Sequence, residues 1–201
     1  MLAWSIAVGL ESPSVDRVIV STDDREIGHV AKGLGAEVYL RPPDLATDDA
    51  LVVDALRDLI RRLRKEGESV DILTLLEPTC PLRAVEDVER CIAMVGEGWD
   101  SAATFRPAEL HPHRAWRIED GSPRPFIDDA IPWLPRQKLP PAFQLNGAVY
   151  VVRTDRLMDE SGLGLFAGRT AAVIMPPERS VDIDTVHDLI VAEALMGVRE
   201  E

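Results

Sequence analysis

Along most of this chain, short apolar runs alternate with longer stretches of helical period, and few folds accept that alternation. Arg17-Val-Ile-Val-Ser21 reads as a buried strand, and Asp24 to Leu34 as a helix with Ile27, Val30, Ala31 and Leu34 on one face. Gly33-Leu-Gly35 ends that helix as a C-cap. It follows a helix and precedes a strand, the reverse of a dinucleotide-binding loop. Ala36 to Leu40 reads as a second strand. Residues 49–65 give the strongest helix, with Val52, Leu56, Leu59 and Leu63 spaced by four, three and four. Asp71-Ile-Leu-Thr-Leu-Leu76 is nearly continuous apolar sequence bounded by charge and proline, the pattern of a central strand covered on both faces. A helix from Val85 to Val95, strands at Ser101–Phe105, Ala148–Val152 and Ala171–Met175, and a closing helix from Thr185 to about Met196 complete the series. The pattern predicts an α/β fold. We expect a three-layer α/β/α sandwich around a mostly parallel sheet, in one domain over residues 1–201. Between about 106 and 145 the pattern breaks: eight prolines and little helical period mark an excursion of hairpins and loops, suited to binding or dimer contacts.

Charge narrows the function. Twenty-two basic against 35 acidic residues leave −13, so a nucleic-acid binder is not expected, because phosphate contacts need a basic face. The chain has no run of 18 apolar residues, and no membrane association is expected. The opening MLAWSIAVGLES lacks a basic leader segment and reads as an amphipathic helix. Cys80 and Cys91, eleven positions apart, match no metal or redox spacing and read as reduced thiols of a cytoplasmic protein. His111-Pro-His113 has no third ligand nearby and reads as loop.

Three constellations carry candidate chemistry. Glu77-Pro-Thr-Cys-Pro-Leu-Arg83 follows the central strand, where open α/β sheets form their ligand crevice, and Thr79 and Arg83 can face an anion there. The alternative is a plain strand-to-helix connection. In Ser180-Val-Asp-Ile-Asp184, residues two apart in extended backbone point to one side. Asp182 and Asp184 can thus share a cation of the magnesium kind, or one of them caps the following helix. The run from Leu134 to Tyr150 sets Arg136, Lys138, Asn146 and Tyr150 ahead of or within a strand, where a guanidinium can read a carboxylate bidentately; the alternative is a solvated loop.

Together these residues resemble the acylneuraminate cytidylyltransferase family, the enzymes that make CMP-sialic acid and related CMP-nonulosonic acids. The matching runs are Arg17-Val-Ile-Val-Ser-Thr-Asp-Asp24, Gly35-Ala-Glu-Val38, Arg41-Pro-Pro-Asp-Leu-Ala-Thr-Asp-Asp49, Glu77 to Arg83, His111-Pro112, Pro135-Arg-Gln, Leu139-Pro, Asn146-Gly-Ala-Val-Tyr150 and Ser180 to Asp184. They keep the family's order across essentially the whole chain. The resemblance implies a Rossmann-like nucleotide-diphospho-sugar transferase fold, a homodimer, and attack by the anomeric hydroxyl of an acidic nine-carbon sugar on the α-phosphate of CTP. It places Asp182 and Asp184 on the catalytic Mg2+ pair. It puts Arg41, Ala50, Glu77, Thr79 and Arg83 at the nucleotide, and Arg114, Arg136, Asn146, Gly147 and Tyr150 at the sugar.

There are departures. Glu77 and Cys80 stand where the family usually has glutamine and serine, and Val52 replaces a small polar residue. The family's opening strand and its basic, glycine-containing phosphate loop have no counterpart before the first helix, so the sheet is expected to be short of a strand and turnover by these residues slow. The alternative from another class is a non-catalytic family member that binds a sugar, a nucleotide or a partner.

Overall fold

The computed structural model describes residues 1–159 and 164–199. Its elements follow the expected alternation: α1 (Leu2–Glu11), β1 (Ile19–Thr22), α2 (Arg25–Gly33), β2 (Glu37–Leu40), α3 (Val52–Lys65), β3 (Ile72–Leu75), α4 (Val85–Gly96), β4 (Ser101–Pro107), β5 (Trp116–Glu119), β6 (Ser122–Pro125), β7 (Phe143–Arg153), α5 (Thr154–Leu157), β8 (Thr170–Ile174) and α6 (Val186–Arg199). Local chemistry sets the ends. The Asp24 carboxylate accepts the amides of Glu26 and Ile27 and starts α2. The Asp87 carboxylate accepts the Ala84 amide at 3.0 Å and starts α4. Asp120 and Gly121, both at positive φ, make the tight turn of the β5–β6 hairpin inside the excursion.

Strands β3, β7, β4 and β8 lie side by side in that order. β7 runs antiparallel to both neighbours, while β4 and β8 are parallel. β1 and β2 form a separate parallel pair. Arg17, just before β1, meets Glu68, just before β3, at 3.6 Å, so these two strands start at the same end of the molecule. Among the described strands of this layer, β7 therefore runs opposite to the other five. Side chains alternate across the layer. Val149 and Val151 pack with Val88, Cys91 and Val95 of α4, whereas Val152 packs with Leu56, Leu59, Ile60 and Leu63 of α3. Ile6 of α1 and Ala31 of α2 cover Val18, Val20 and Val38. The strands are thus sandwiched between helices on both faces, as the sequence predicts.

The sheet is interrupted. β1 pairs with β2 alone and β3 with β7 alone among the described strands, and a cavity of about 630 Å³ separates β1 from β3.

Candidate active site

The Glu77–Arg83 connection leaves the carboxyl end of β3 and is stiffened by Pro78 and Pro81, each with φ fixed by its ring. Arg83 is only 2% exposed. One of its terminal nitrogens donates to Ser5 Oγ at 2.7 Å and the other to the Glu77 carbonyl. Burial pushes its guanidinium below the usual arginine range. Arg83 therefore ties α1 to this loop. Its two terminal nitrogens are thus engaged, while its Nε has no hydrogen-bond partner among the described residues.

A second wall comes from β7, which starts at Phe143, five residues before the expected Ala148. Its pairing with β4 slips between Ala103 and Phe105, a bulge that re-aims Asn146 and Gly147. Thr104 Oγ1 donates to Asn146 Oδ1 at 2.7 Å, and Asn146 Nδ2 donates to Ser180 Oγ at 3.0 Å. Asn146 is 2% exposed. Its side chain is thus engaged internally and ties β7 to the segment that carries the aspartates.

Gly147 sits at φ +70°. A Cβ there would lie 3.1 Å from Glu77 Oε2, 3.1 Å from Cys80 Sγ and 3.2 Å from Asp182 Oδ2. Those three groups therefore converge on one point, and the absent side chain keeps it open. The third wall is the 181–184 segment, held against the loop by the Ile183 amide donating to the Thr79 carbonyl at 2.9 Å. Cys80 Sγ lies 3.4 Å from Asp182 Oδ1. Asp182 is half-buried and Asp184 exposed. Neither caps the last helix. Thr185 and Asp188 do that, with the Thr185 amide donating to Asp188 Oδ2 at 2.8 Å and the Asp188 amide to Thr185 Oγ1 at 3.3 Å. The capping alternative for the aspartate pair is removed.

Electrostatics follow from this crowding. Burial, and then the Asp182 charge, raise the Glu77 carboxyl above the usual range, with Arg83 opposing. Tyr150, on the same strand as Gly147, is pushed up to about 12 by burial and then by Glu77, Cys80 and Asp182. Such a locus favours a cation. No group of three or more His, Cys, Asp or Glu suited to a metal occurs among the described residues. Asp182 and Asp184 are a pair of hard oxygen donors on one pinned segment, which suits a cation that completes its shell with water and substrate phosphate.

The other expected residues lie elsewhere. Arg41 closes the end of β2, donating to the Ser21 carbonyl at 2.9 Å and to Ser21 Oγ at 3.2 Å, beside the cavity. Ala50 sits on a turn before α3, its amide donating to the Thr47 carbonyl at 3.0 Å. Arg114 and Arg136 are exposed on the excursion, where Arg114 donates to the Leu134 carbonyl at 3.0 Å. No described contact brings either to Gly147. His111 and His113 pack edge-to-face at 5.1 Å within a loop. Sequence reasoning passed over Ser5, Thr104 and Ser180, which position the site from behind. Only the Thr185–Asp188 capping pair carried a legible signal.

The chain is similar to several known proteins. Residues 1–94 match the model of a family described as Cytidylyltransferase. A CMP-N,N'-diacetyllegionaminic acid synthase of Legionella pneumophila is 28% identical over 207 residues, covering 100% of this chain and 87% of that protein. An N-acylneuraminate cytidylyltransferase B of Danio rerio is 33% identical over 200 residues, covering 96% of this chain and 44% of its own length. Among solved structures, a CMP:2-keto-3-deoxy-manno-octonic acid synthetase complexed with CTP superposes with TM-score 0.68 at 18% identity, over 98% of this chain and 87% of that one. A 4-diphosphocytidyl-2C-methyl-D-erythritol synthase gives 0.67 at 13%, over 97% and 87%. Those two likenesses bear on the fold; in sequence, the chain is similar to a cytidylyltransferase family model over residues 1–94 and to curated cytidylyltransferases over most of its length.

Proposed function

We propose that this chain transfers the cytidylyl group of CTP to a sialic-acid-like nonulosonic sugar, giving a CMP-sugar and pyrophosphate. The observation that carries it is the convergence of Glu77 and Asp182 on the open point at Gly147, with Asp184 two residues on and Tyr150 alongside. Relatives named for making CMP-legionaminic acid and for cytidylyl transfer to N-acylneuraminate support the same substrates. The sugar's anomeric oxygen forms a bond to the α-phosphorus, the bond to the β-phosphate oxygen breaks, pyrophosphate leaves, and the hydroxyl proton passes to a carboxylate or to water.

Asp182 and Asp184 would hold Mg2+, which supplies charge neutralisation at the transferring phosphate. The chain's own groups do the positioning. The bulge at Asn146 fixes Gly147, and Ile183 fixes both aspartates through Thr79. We assign Arg41 and Ala50 to the base, and Arg114, Arg136 and Tyr150 to the acidic sugar. Glu77, a carboxylate beside that site, repels the sugar's own carboxylate and tunes which acceptor is taken. Trp133 (76% exposed), Ile118 (67%) and Phe126 (62%) give the excursion an apolar face. That face supports a homodimer. No helix is long and apolar enough to cross a membrane among the described residues; a cytoplasmic site of action completes the proposal.

The test is CTP and Mg2+ with N-acetylneuraminic acid, N,N'-diacetyllegionaminic acid or 2-keto-3-deoxy-manno-octonic acid, reading pyrophosphate. Release that requires one of these acceptors is expected. Release that ignores the acceptor, or runs equally with ATP, would overturn the reading.

A further inference from the structure

Two walls of the site carry like charge. Glu77 stands on the 77–83 loop, Asp182 and Asp184 on the segment opposite, and the Asp182 charge acts on the Glu77 carboxyl. Carboxylates set this close repel, so the two walls need ties. One tie is in front, where the Ile183 amide donates to the Thr79 carbonyl. Another lies behind, on α4. Asp87 is 0% exposed. Its Oδ2 accepts the amide of Ala84, the residue after Arg83, at 3.0 Å. Its Oδ1 accepts from a terminal nitrogen of Arg179, the residue before Ser180, at 2.8 Å. One carboxylate thus grips the end of one wall and the start of the other. The same Arg179 nitrogen meets Glu86 Oε1 at 2.5 Å, but the Glu86 side chain is 60% exposed, where ion pairs contribute little. The Asp87 contact is charge-assisted and shielded from water. Starting α4 uses only the Ala84 bond. The ion pair adds a desolvation cost that a cap does not require, and Arg179 Nε is buried with no hydrogen-bond partner among the described residues.

We propose that Asp87 and Arg179 are positioning residues for Asp182 and Asp184, fixing the register of the two walls before cation or substrate is bound. Their part in turnover rests on the cytidylyl-transfer reading; their part in the register does not. Three ties to three elements hold the aspartate segment. Ser180 accepts from Asn146 of β7 at 3.0 Å, Ile183 donates to the loop at Thr79, and Arg179 donates to Asp87 of α4. A rigid piece held at two points can still turn about the line joining them, and the third point stops that rotation. Without the Arg179 tie, the repulsion between Glu77 and Asp182 falls on the Ile183 bond. Removing one partner of a buried ion pair also leaves the other charge uncompensated, which lowers stability whatever the pair positions. Removing both charges separates the two effects.

The test compares Asp87→Asn, Arg179→Met and the double variant with the wild-type chain, and uses Glu86→Gln as control. Asparagine keeps an oxygen for the Ala84 amide. The readouts are amide hydrogen exchange in excess chelator and steady-state pyrophosphate release. The single variants should lose stability, and the double variant should regain much of it. Even so, the double variant should exchange the Ile183 amide roughly tenfold faster, the size of one charge-assisted hydrogen bond, with Val149 and Val151 of β7 unchanged. Its kcat should fall roughly tenfold while KM for CTP stays within about threefold, because the groups displaced act in the transfer step. Glu86→Gln should match wild type in both readouts. Wild-type exchange at Ile183 or wild-type kcat in the double variant would reduce the pair to a stability role and overturn the proposal. An equal rise at Val149 and Val151 would mean general loosening and would overturn it as well. If the wild-type chain releases no pyrophosphate, the transfer reading alone fails, and exchange at Ile183 decides whether the pair sets the register.

Discussion

Replacing Gly147 by alanine probes the site at the point where its three walls meet. Two costs arise. The backbone at φ +70° is left-handed, which costs a residue with a Cβ about 1–2 kcal/mol. The new methyl would also lie 3.1–3.2 Å from Glu77 Oε2, Cys80 Sγ and Asp182 Oδ2. Overpacking of that kind costs about 1–3 kcal/mol. Together they come to about 2–5 kcal/mol, or a fall in Tm of roughly 4–20 °C for a chain of this size. Gly98 separates the two costs, since its φ is +99° and a Cβ there meets nothing within 4 Å. Gly98→Ala should show the backbone cost alone. Thermal unfolding of both variants by circular dichroism gives the difference, and a pyrophosphate assay on Gly147→Ala should show turnover lost well below Tm. If Gly147→Ala costs no more than Gly98→Ala and keeps wild-type turnover, Glu77, Cys80 and Asp182 do not converge as described.

Two further outcomes follow from burial. Glu77 titrates above the ordinary carboxylate range in the folded protein, so its contribution to stability is greatest at low pH and is lost as pH rises through the folded value. Glu77→Gln should therefore leave Tm unchanged near pH 4 and raise it increasingly above that; a Tm difference that shrinks with rising pH would contradict the assigned environment. Cys80 and Cys91 are fully buried, and burial pushes both thiols up to about 12. A disulfide-exchange reagent at pH 8 should label neither in the native protein and both in guanidinium chloride; rapid native labelling of Cys80 would mean that the Glu77–Arg83 loop opens.

The fold was legible wherever local pattern and packing agree. Asp24 caps, α3 carries its apolar stripe, and β3 is apolar on both faces because helices cover both. The reversed direction of β7 was not legible, since strand direction depends on how the excursion returns and no periodicity encodes it. Of the candidate site, the aspartate pair and the Glu77 loop could be found because their spacing is local. Arg83 and Asn146 could be named but not placed. Both are polar residues that the fold turns inward, and only Ser5, Thr104 and Ser180, distant in sequence, reveal why. For Arg114 and Arg136 the chain supplies charge and exposure, without a described contact to the aspartates.

The most direct test follows phosphorus by NMR while the protein, CTP, Mg2+ and N,N'-diacetyllegionaminic acid are incubated together, alongside Asp182→Asn. Expected from the wild-type chain, at whatever rate, are equal amounts of a CMP phosphodiester and pyrophosphate. From Asp182→Asn, with an unchanged circular dichroism spectrum, neither should appear. Phosphate and CDP in place of those products, or an undiminished yield from Asp182→Asn, would contradict cytidylyl transfer at this site.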